Sequence, residues 1–270
     1  MNTFYDFIVI GAGISACTFA KTINNRCSGA SLLLIEHGRR IGGRSTTRKS
    51  TRNKILEFDH GLPSFSLNQN ISQDIFTLIS PIIKSKKLID ITENIFIVNE
   101  FSEIDHINSD VKFYRGFPYM INFCEEIIKQ SINPNQINFL FQTFAKTITR
   151  KKNFWEVKIN NDMIIRSSKL IISSSLIVHP RCLKILNVNS LPLRNALIKG
   201  EDEIVDTIIK EICKQEYIKR KNYILYVKNY EIVEKFSHDY LQIYFSKDLI
   251  NNFNFEKIVF QRQLDGSMII

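Results

Sequence analysis

The sequence is poor in the residues that build covalent or metal scaffolds. Its five cysteines stand alone at Cys17, Cys27, Cys124, Cys182 and Cys213. The number is odd and no Cys-x-x-Cys occurs, so neither a disulfide framework nor a thiolate zinc site is expected, only reduced buried thiols. The histidines show no His-x-x-x-His or similar spacing, and no metal is expected. A serine nucleophile has no Gly-x-Ser-x-Gly to carry it. No apolar run approaches the roughly 20 residues of a spanning helix. The first segment lacks a basic leader and carries Asp6 where a signal peptide would be apolar. Proline, with six residues, is too sparse to mark a boundary, and repeats and low-complexity linkers are absent. These absences make the expectation a cytoplasmic protein without a membrane partner.

What is present is a 270-residue chain of ordinary globular composition, 44% hydrophobic and 23% charged, which excludes disorder as its main state. Its length allows one good core or two modest ones. The net charge of +9 points to an anionic partner. Lysine is abundant throughout, so this balance fits a phosphate-bearing ligand better than nucleic acid. The basic run Arg39, Arg40, Arg44, Arg48, Lys49, Arg52 and Lys54 has no aromatic residues interleaved for stacking on bases. Arg48 to Lys54 reads as a solvated loop edge.

The N-terminal segment has an order of its own. "FYDFIVIGAG" is a short apolar run ending in glycines, as in a strand buried on both faces. "ISACTFAKTINNRC" has small and apolar residues at helical spacing, and "ASLLLIE" is a second buried strand. Strand, glycine turn, helix and strand within about 30 residues make a βαβ unit. Gly11-x-Gly13-x-x-Ala16 lies at its turn: Gly11 permits the tight exit, Gly13 the approach of a pyrophosphate, and small Ala16 the packing of helix on sheet. The amides of Ile14 and Ser15 would face the phosphate, a contribution of about 0.3–1 kcal/mol at an exposed helix end. Glu36, twenty residues beyond Ala16, is placed to accept hydrogen bonds from ribose hydroxyls.

Further along, Ile71–Lys87 and Met120–Gln130 read as helices, and strands are expected over "FLFQTFAKTI", "FWEVKI" and "MIIR", a meander joined by short polar connectors. "KLIISSS" reads as one more buried strand. Asp202–Gln215 reads as a helix, "NYILYVK" and "YLQIYF" as strands, and Asp265-Gly266 as a hairpin turn.

"EHGRRIGGRSTTR" (36–48) resembles the second flavin motif of the amine-oxidase-like FAD proteins. "FDHGLPSF" (58–65), "YRGFPYMINFCEEI" (114–127) and "QTFAKTITRKKNFWEV" (142–157) resemble three later segments of that family, with the renalase-like subgroup nearest. The resemblance covers roughly residues 4–182 and is strongest over 7–66. It implies an α/β fold: a Rossmann-like FAD-binding domain with a β-meander over 1–66 and 112–182. A smaller α+β substrate domain would occupy 67–111 and 183–270.

The resemblance also implies FAD as cofactor. Gly43 and Arg44 would lie near the pyrophosphate and ribityl chain, and Gly61 near the flavin ring, between His60 and Leu62. Ala145 would hold the adenine-side strand. His37 is adenine-side or solvated, and His60 either faces the flavin or is a structural loop histidine. No catalytic acid or base is assigned. The implied reaction is hydride transfer from a small-molecule donor, an amine or a reduced nicotinamide-like compound, and the sequence does not choose between them.

Three departures bear on this reading. Leu62-Pro63-Ser64 replaces the subgroup's Ala-Gln-Tyr, Ser173-Ser174-Ser175 replaces a proline-bearing strand end, and the Gly-Asp segment that closes the flavin site is not among these residues. The substrate domain would then be incomplete. The alternative is therefore a truncated or non-catalytic remnant with weak or no FAD binding. A plain NAD-dependent dehydrogenase would explain Gly11 to Glu36 and leave Gly42–Arg44 without a role.

Overall fold

The computed structural model describes residues 4–50, 56–107, 110–216, 221–228 and 238–270. The chain begins with β1 (Phe4–Ile10), α1 (Ile14–Arg26), β2 (Leu32–Ile35), β3 (Thr47–Lys49), β4 (Glu57–Asp59) and β5 (Phe65–Asn68). It continues through α2 (Gln73–Lys84), β6 (Leu88–Asp90), β7 (Ile95–Val98), β8 (Ile104–His106), β9 (Val111–Gly116) and α3 (Met120–Lys129). Next come β10 (Ile137–Leu140), β11 (Ala145–Arg150), β12 (Trp155–Ile159), β13 (Ile164–Ile172), α4 (Cys182–Ile185) and α5 (Glu203–Lys214). The last strands are β14 (Tyr226–Val227), β15 (Tyr240–Phe245), β16 (Lys257–Arg262) and β17 (Met268–Ile269). Among the described residues no helix is long and apolar enough to cross a membrane.

The chain divides into two compact units, 1–43 with 127–219 and 44–126 with 220–270. This division differs from the cofactor and substrate domains expected from sequence. Residues 44–66 and 112–126 join the second unit, where β3 pairs with β4 and β5 with β9. Residues 183–219 join the first, where Leu193 and Ala196 enter the core beside β11.

The first unit is an α/β layer structure on a six-stranded sheet in the order β10-β2-β1-β13-β12-β11. β1 lies between two parallel neighbours, with Ile8 opposite Leu33 on one side and Leu170 on the other. All four side chains of β2 are buried, as expected of a parallel strand covered on both faces. Each such aliphatic side chain stabilises the fold by about 1.5–3 kcal/mol. Ile8, Ile10, Leu33, Ile35, Ala145, Ile148, Val157 and Ile165 share one apolar cluster.

Two expectations are corrected here. "FLFQTFAKTI" is two strands: β10 pairs in parallel with β2, and β11 starts the meander. Gln142 separates them, turned to φ 53° with its N–H donating to the Gly38 carbonyl at 2.8 Å. Conversely, "MIIR" and "KLIISSS" are one nine-residue strand, β13, antiparallel to β12 at its start and parallel to β1 along its length. The polar pair Ser167-Ser168 does not break it, because buried Ser167 donates its hydroxyl to the Lys169 carbonyl.

The second unit has a six-stranded sheet, β14-β17-β16-β15-β7-β8, together with the three-stranded β5-β9-β6 and the β3–β4 pair. Of "NYILYVK" only Tyr226–Val227 is strand. Arg48 and Lys49, expected on a loop edge, lie exposed on β3, and Lys49 pairs with Glu57. Arg52 and Lys54 lie outside the described residues.

Candidate cofactor site

In the first unit the turn after β1 is held from three sides. Gly11 sits at φ 104°, a conformation that favours glycine, and its N–H donates to the Ile35 carbonyl. The Ala12 carbonyl accepts from Gly42 N–H at 2.8 Å, and Gly13 bridges to Gly42. A side chain on Gly43 would come within 3.2 Å of the Gly13 Cα. The two glycine segments, thirty residues apart in sequence, are therefore in close contact.

Gly13 itself is extended, at φ −73°, and caps α1 without a side-chain hydrogen bond. A Cβ there would meet no atom within 4 Å. Neither conformation nor crowding demands glycine, so a residue without a side chain leaves open space at a helix start. The first-turn amides there have no carbonyl of their own helix to bond, and the first turn carries no acid. Ala16 is fully buried beneath the turn, while Ile14 and Ser15 begin the helix.

Glu36 links turn and strand. One carboxylate oxygen accepts from Ala12 N–H at 2.9 Å and the other from Gly38 N–H at 2.6 Å. A carboxylate has about four acceptor positions, so two remain for donors outside the chain. Glu36 also lines a cavity of about 160 Å³ with Gly11, His37, Phe144, Ala145 and Ser174. The rings of His37 and Phe144 meet edge-on at 5.9 Å. That volume is below the roughly 300–1,000 Å³ of a drug-sized ligand site, and suits one ring system of a larger ligand. Ala145 is buried where β11 shifts register against β12.

The chemistry of these donors and spaces fits an adenine dinucleotide, the adenosine and pyrophosphate half of FAD included. Open space and helix amides suit a pyrophosphate, a carboxylate with free acceptor positions suits ribose hydroxyls, and an apolar slot flanked by rings suits adenine.

In the second unit Arg44 is exposed on a single helical turn over Gly43–Ser45. Its carbonyl accepts from Leu62 N–H at 2.8 Å. A Cβ on Gly61 would overlap that same carbonyl oxygen. Gly61 is thus demanded by the Arg44 backbone. His60 is half-buried and its Nδ1 finds no partner among the described residues. Burial, and the charge of Arg48 after it, hold its imidazole below the ordinary range.

The residue that sequence reasoning passed over is Asp59. Its side chain is 1% exposed, and it accepts from the Thr47 hydroxyl at 2.6 Å and from Met120 N–H at 3.1 Å on both oxygens. The Arg115 guanidinium stands 3.6 Å away. Burial raises the Asp59 carboxyl to about 6, outweighing Thr47, Arg115 and Met120, which lower it. Arg115 also stacks over Tyr240, whose hydroxyl donates to Gln242 at 2.7 Å. The available signal was the first letter of the Asp-x-Gly segment, from which only the glycine was given a role.

Residues 9–79 match the family described as NAD(P)-binding Rossmann-like domain. No curated protein sequence matches the chain. Among solved structures, a redesigned putrescine oxidase double mutant is similar over 98% of this chain and 75% of its own, at 10% identity and TM-score 0.57. The tetracycline destructase Tet(51) is similar over all of this chain and 56% of its own, at 13% identity and TM-score 0.51. The chain therefore spans little more than half the length of that destructase. These likenesses establish a mixed α/β fold with a Rossmann-like domain.

Proposed function

We propose that this chain, whose residues 9–79 have a dinucleotide-binding pattern, is an FAD-dependent oxidoreductase that takes a hydride from a small-molecule donor. The observation that carries the reading is Gly13. Its missing side chain leaves open space at the uncapped start of α1, beside a Glu36-lined cavity. Gly11, Gly13 and the amides of Ile14 and Ser15 hold the pyrophosphate, Ala16 lets the helix sit close, and Glu36 takes the ribose hydroxyls. His37 and Ala145 flank the adenine. Arg44, next in the chain to Gly43, neutralises phosphate charge, and His60, Gly61 and Leu62 form the flavin-facing turn. Bound flavin supplies the hydride-accepting chemistry, and the protein supplies binding and orientation. The donor is an amine or a reduced nicotinamide-like molecule.

The purified chain should carry flavin absorbance and release FAD on denaturation. Glu36→Ala and Arg44→Ala should each weaken FAD binding by about 10- to 100-fold, the range for a charged hydrogen bond lost. Anaerobic loss of flavin absorbance on mixing with an amine, or instead with a reduced nicotinamide, identifies the donor. A colourless chain that takes up no FAD would falsify the assignment and leave the remnant reading.

A further inference from the structure

Asp59 sits where four pieces of the second unit meet. Thr47 is its direct partner in the β3–β4 pair. The Thr47 hydroxyl donates to Asp59 and accepts from Ile121 N–H at 3.2 Å. Asp59 itself accepts from Met120 N–H. The first two amides of α3 are thus capped by side chains from β3 and β4, and not by a residue of α3's own N-terminus. Three residues before Thr47 stands Arg44, and two after Asp59 stands Gly61. Their close approach, closed by Leu62 N–H on the Arg44 carbonyl, is the next step outward from the Thr47–Asp59 pair.

We propose that Asp59 is a positioning residue: its ionised carboxylate, acting through Thr47 and α3, fixes the turn that presents Arg44 and Gly61, and cofactor retention depends on it. The proposal rests on the FAD reading for its second half. Everything that faces the carboxylate is a donor or a charge. β3 contributes the Thr47 hydroxyl, α3 the Met120 amide, and β9 the Arg115 guanidinium. Gln261 of β16 approaches only the Asp59 backbone amide, which donates to its Oε1 at 3.4 Å. Glu57 on β4 is a like charge, and burial together with Asp59 and Glu57 raises the Tyr119 hydroxyl. Tyr240 is held neutral by burial. Among the described residues every group bonded to the carboxylate now donates to it, so a carboxyl proton must reverse the Thr47 bond or break one of the others. With the carboxyl raised to about 6, that change falls near neutrality.

Hydrogen exchange at the Leu62 amide and FAD affinity across pH test this together. In Asp59→Asn and Thr47→Val, Leu62 exchange should speed up about tenfold, a typical effect of one hydrogen bond, while Leu33 in β2 stays protected. Thr47→Ser, which keeps the hydroxyl, should restore wild-type exchange. Wild-type FAD affinity should drop as pH falls through about 6. Asp59→Asn should be about tenfold weaker above that pH and lack that step, whereas any step from His60 persists. Unchanged Leu62 exchange in a folded variant, or parallel pH profiles, overturns the positioning role. If Asp59→Asn fails to fold, the Thr47→Val and Thr47→Ser pair decides it alone. A wild type that takes up no FAD sinks the functional reading and the retention clause, while Leu62 exchange still judges the turn.

Discussion

Gly13 and Gly61 belong to the two segments singled out for cofactor contact, and their surroundings are opposite. A methyl on Gly13 meets nothing within 4 Å, and its backbone is extended. Gly13→Ala should therefore fold with stability within about 0.5 kcal/mol of wild type. It should still lose about tenfold or more in FAD affinity, because the added carbon occupies the pyrophosphate's space. A methyl on Gly61 overlaps the Arg44 carbonyl, and Gly61→Ala should cost about 1–3 kcal/mol of stability by overpacking. Urea unfolding with FAD titration separates the two. If Gly13→Ala binds FAD like the wild type, Gly13 is not the approach point. The sequence motif names both glycines, yet only the folded surroundings show which is needed by the chain itself and which leaves room for something else.

Elements were legible where their pattern is local. The β1–α1–β2 unit announces itself through contiguous apolar runs, glycine punctuation and helical spacing, all within thirty residues. β10 was hidden because apolar residues recur from Phe139 to Ile148 across the four residues that separate β10 from β11, where Gln142 lies at positive φ. The buried polar face of β15 and β16 was hidden for another reason. Alternation in "YLQIYF" would put Gln242 in solvent, yet Gln242 and Gln261 are buried at 0% and 3% exposure, and Gln242 accepts from the Ser64 hydroxyl. Partners far away in sequence decide that, and periodicity carries no trace of them. Asn24 is the same kind of case on α1. Fully buried, its side-chain oxygen accepts from Asn133 N–H and its amide donates to the Asn133 carbonyl, both at 2.8 Å, holding the helix to the segment before β10. Asn24→Ala leaves two backbone groups of Asn133 without those partners. It should cost about 2–4 kcal/mol, read by urea unfolding of the apo protein. A loss under about 0.5 kcal/mol would mean that water replaces both bonds.

For the molecule as a whole, the buried carboxyl of Asp59 makes stability depend on pH in a direction that can be worked out. Its value is about 6 in the folded chain against an ordinary 3.8. Between those values the folded state holds the proton more tightly than the unfolded state. Its contribution is therefore fully present below 3.8 and disappears as pH rises through about 6. Asp6 and Asp265 act the other way. Hydrogen bonds from Ser31 and Ser267 hold them below the ordinary range, so their contributions are lost on acidification. Comparing wild type with Asp59→Asn cancels those two groups and isolates Asp59. The stability of the wild type relative to the variant should fall by up to about 3 kcal/mol between about pH 4 and pH 7. A flat or rising difference would show that Arg115, Thr47 and the α3 amides compensate the buried charge completely. A falling one means that folding favours the neutral carboxyl, whereas the Arg44–Gly61 turn needs the charged one. Near neutrality the fold then tolerates an unfavourable charge at the position where cofactor retention requires it.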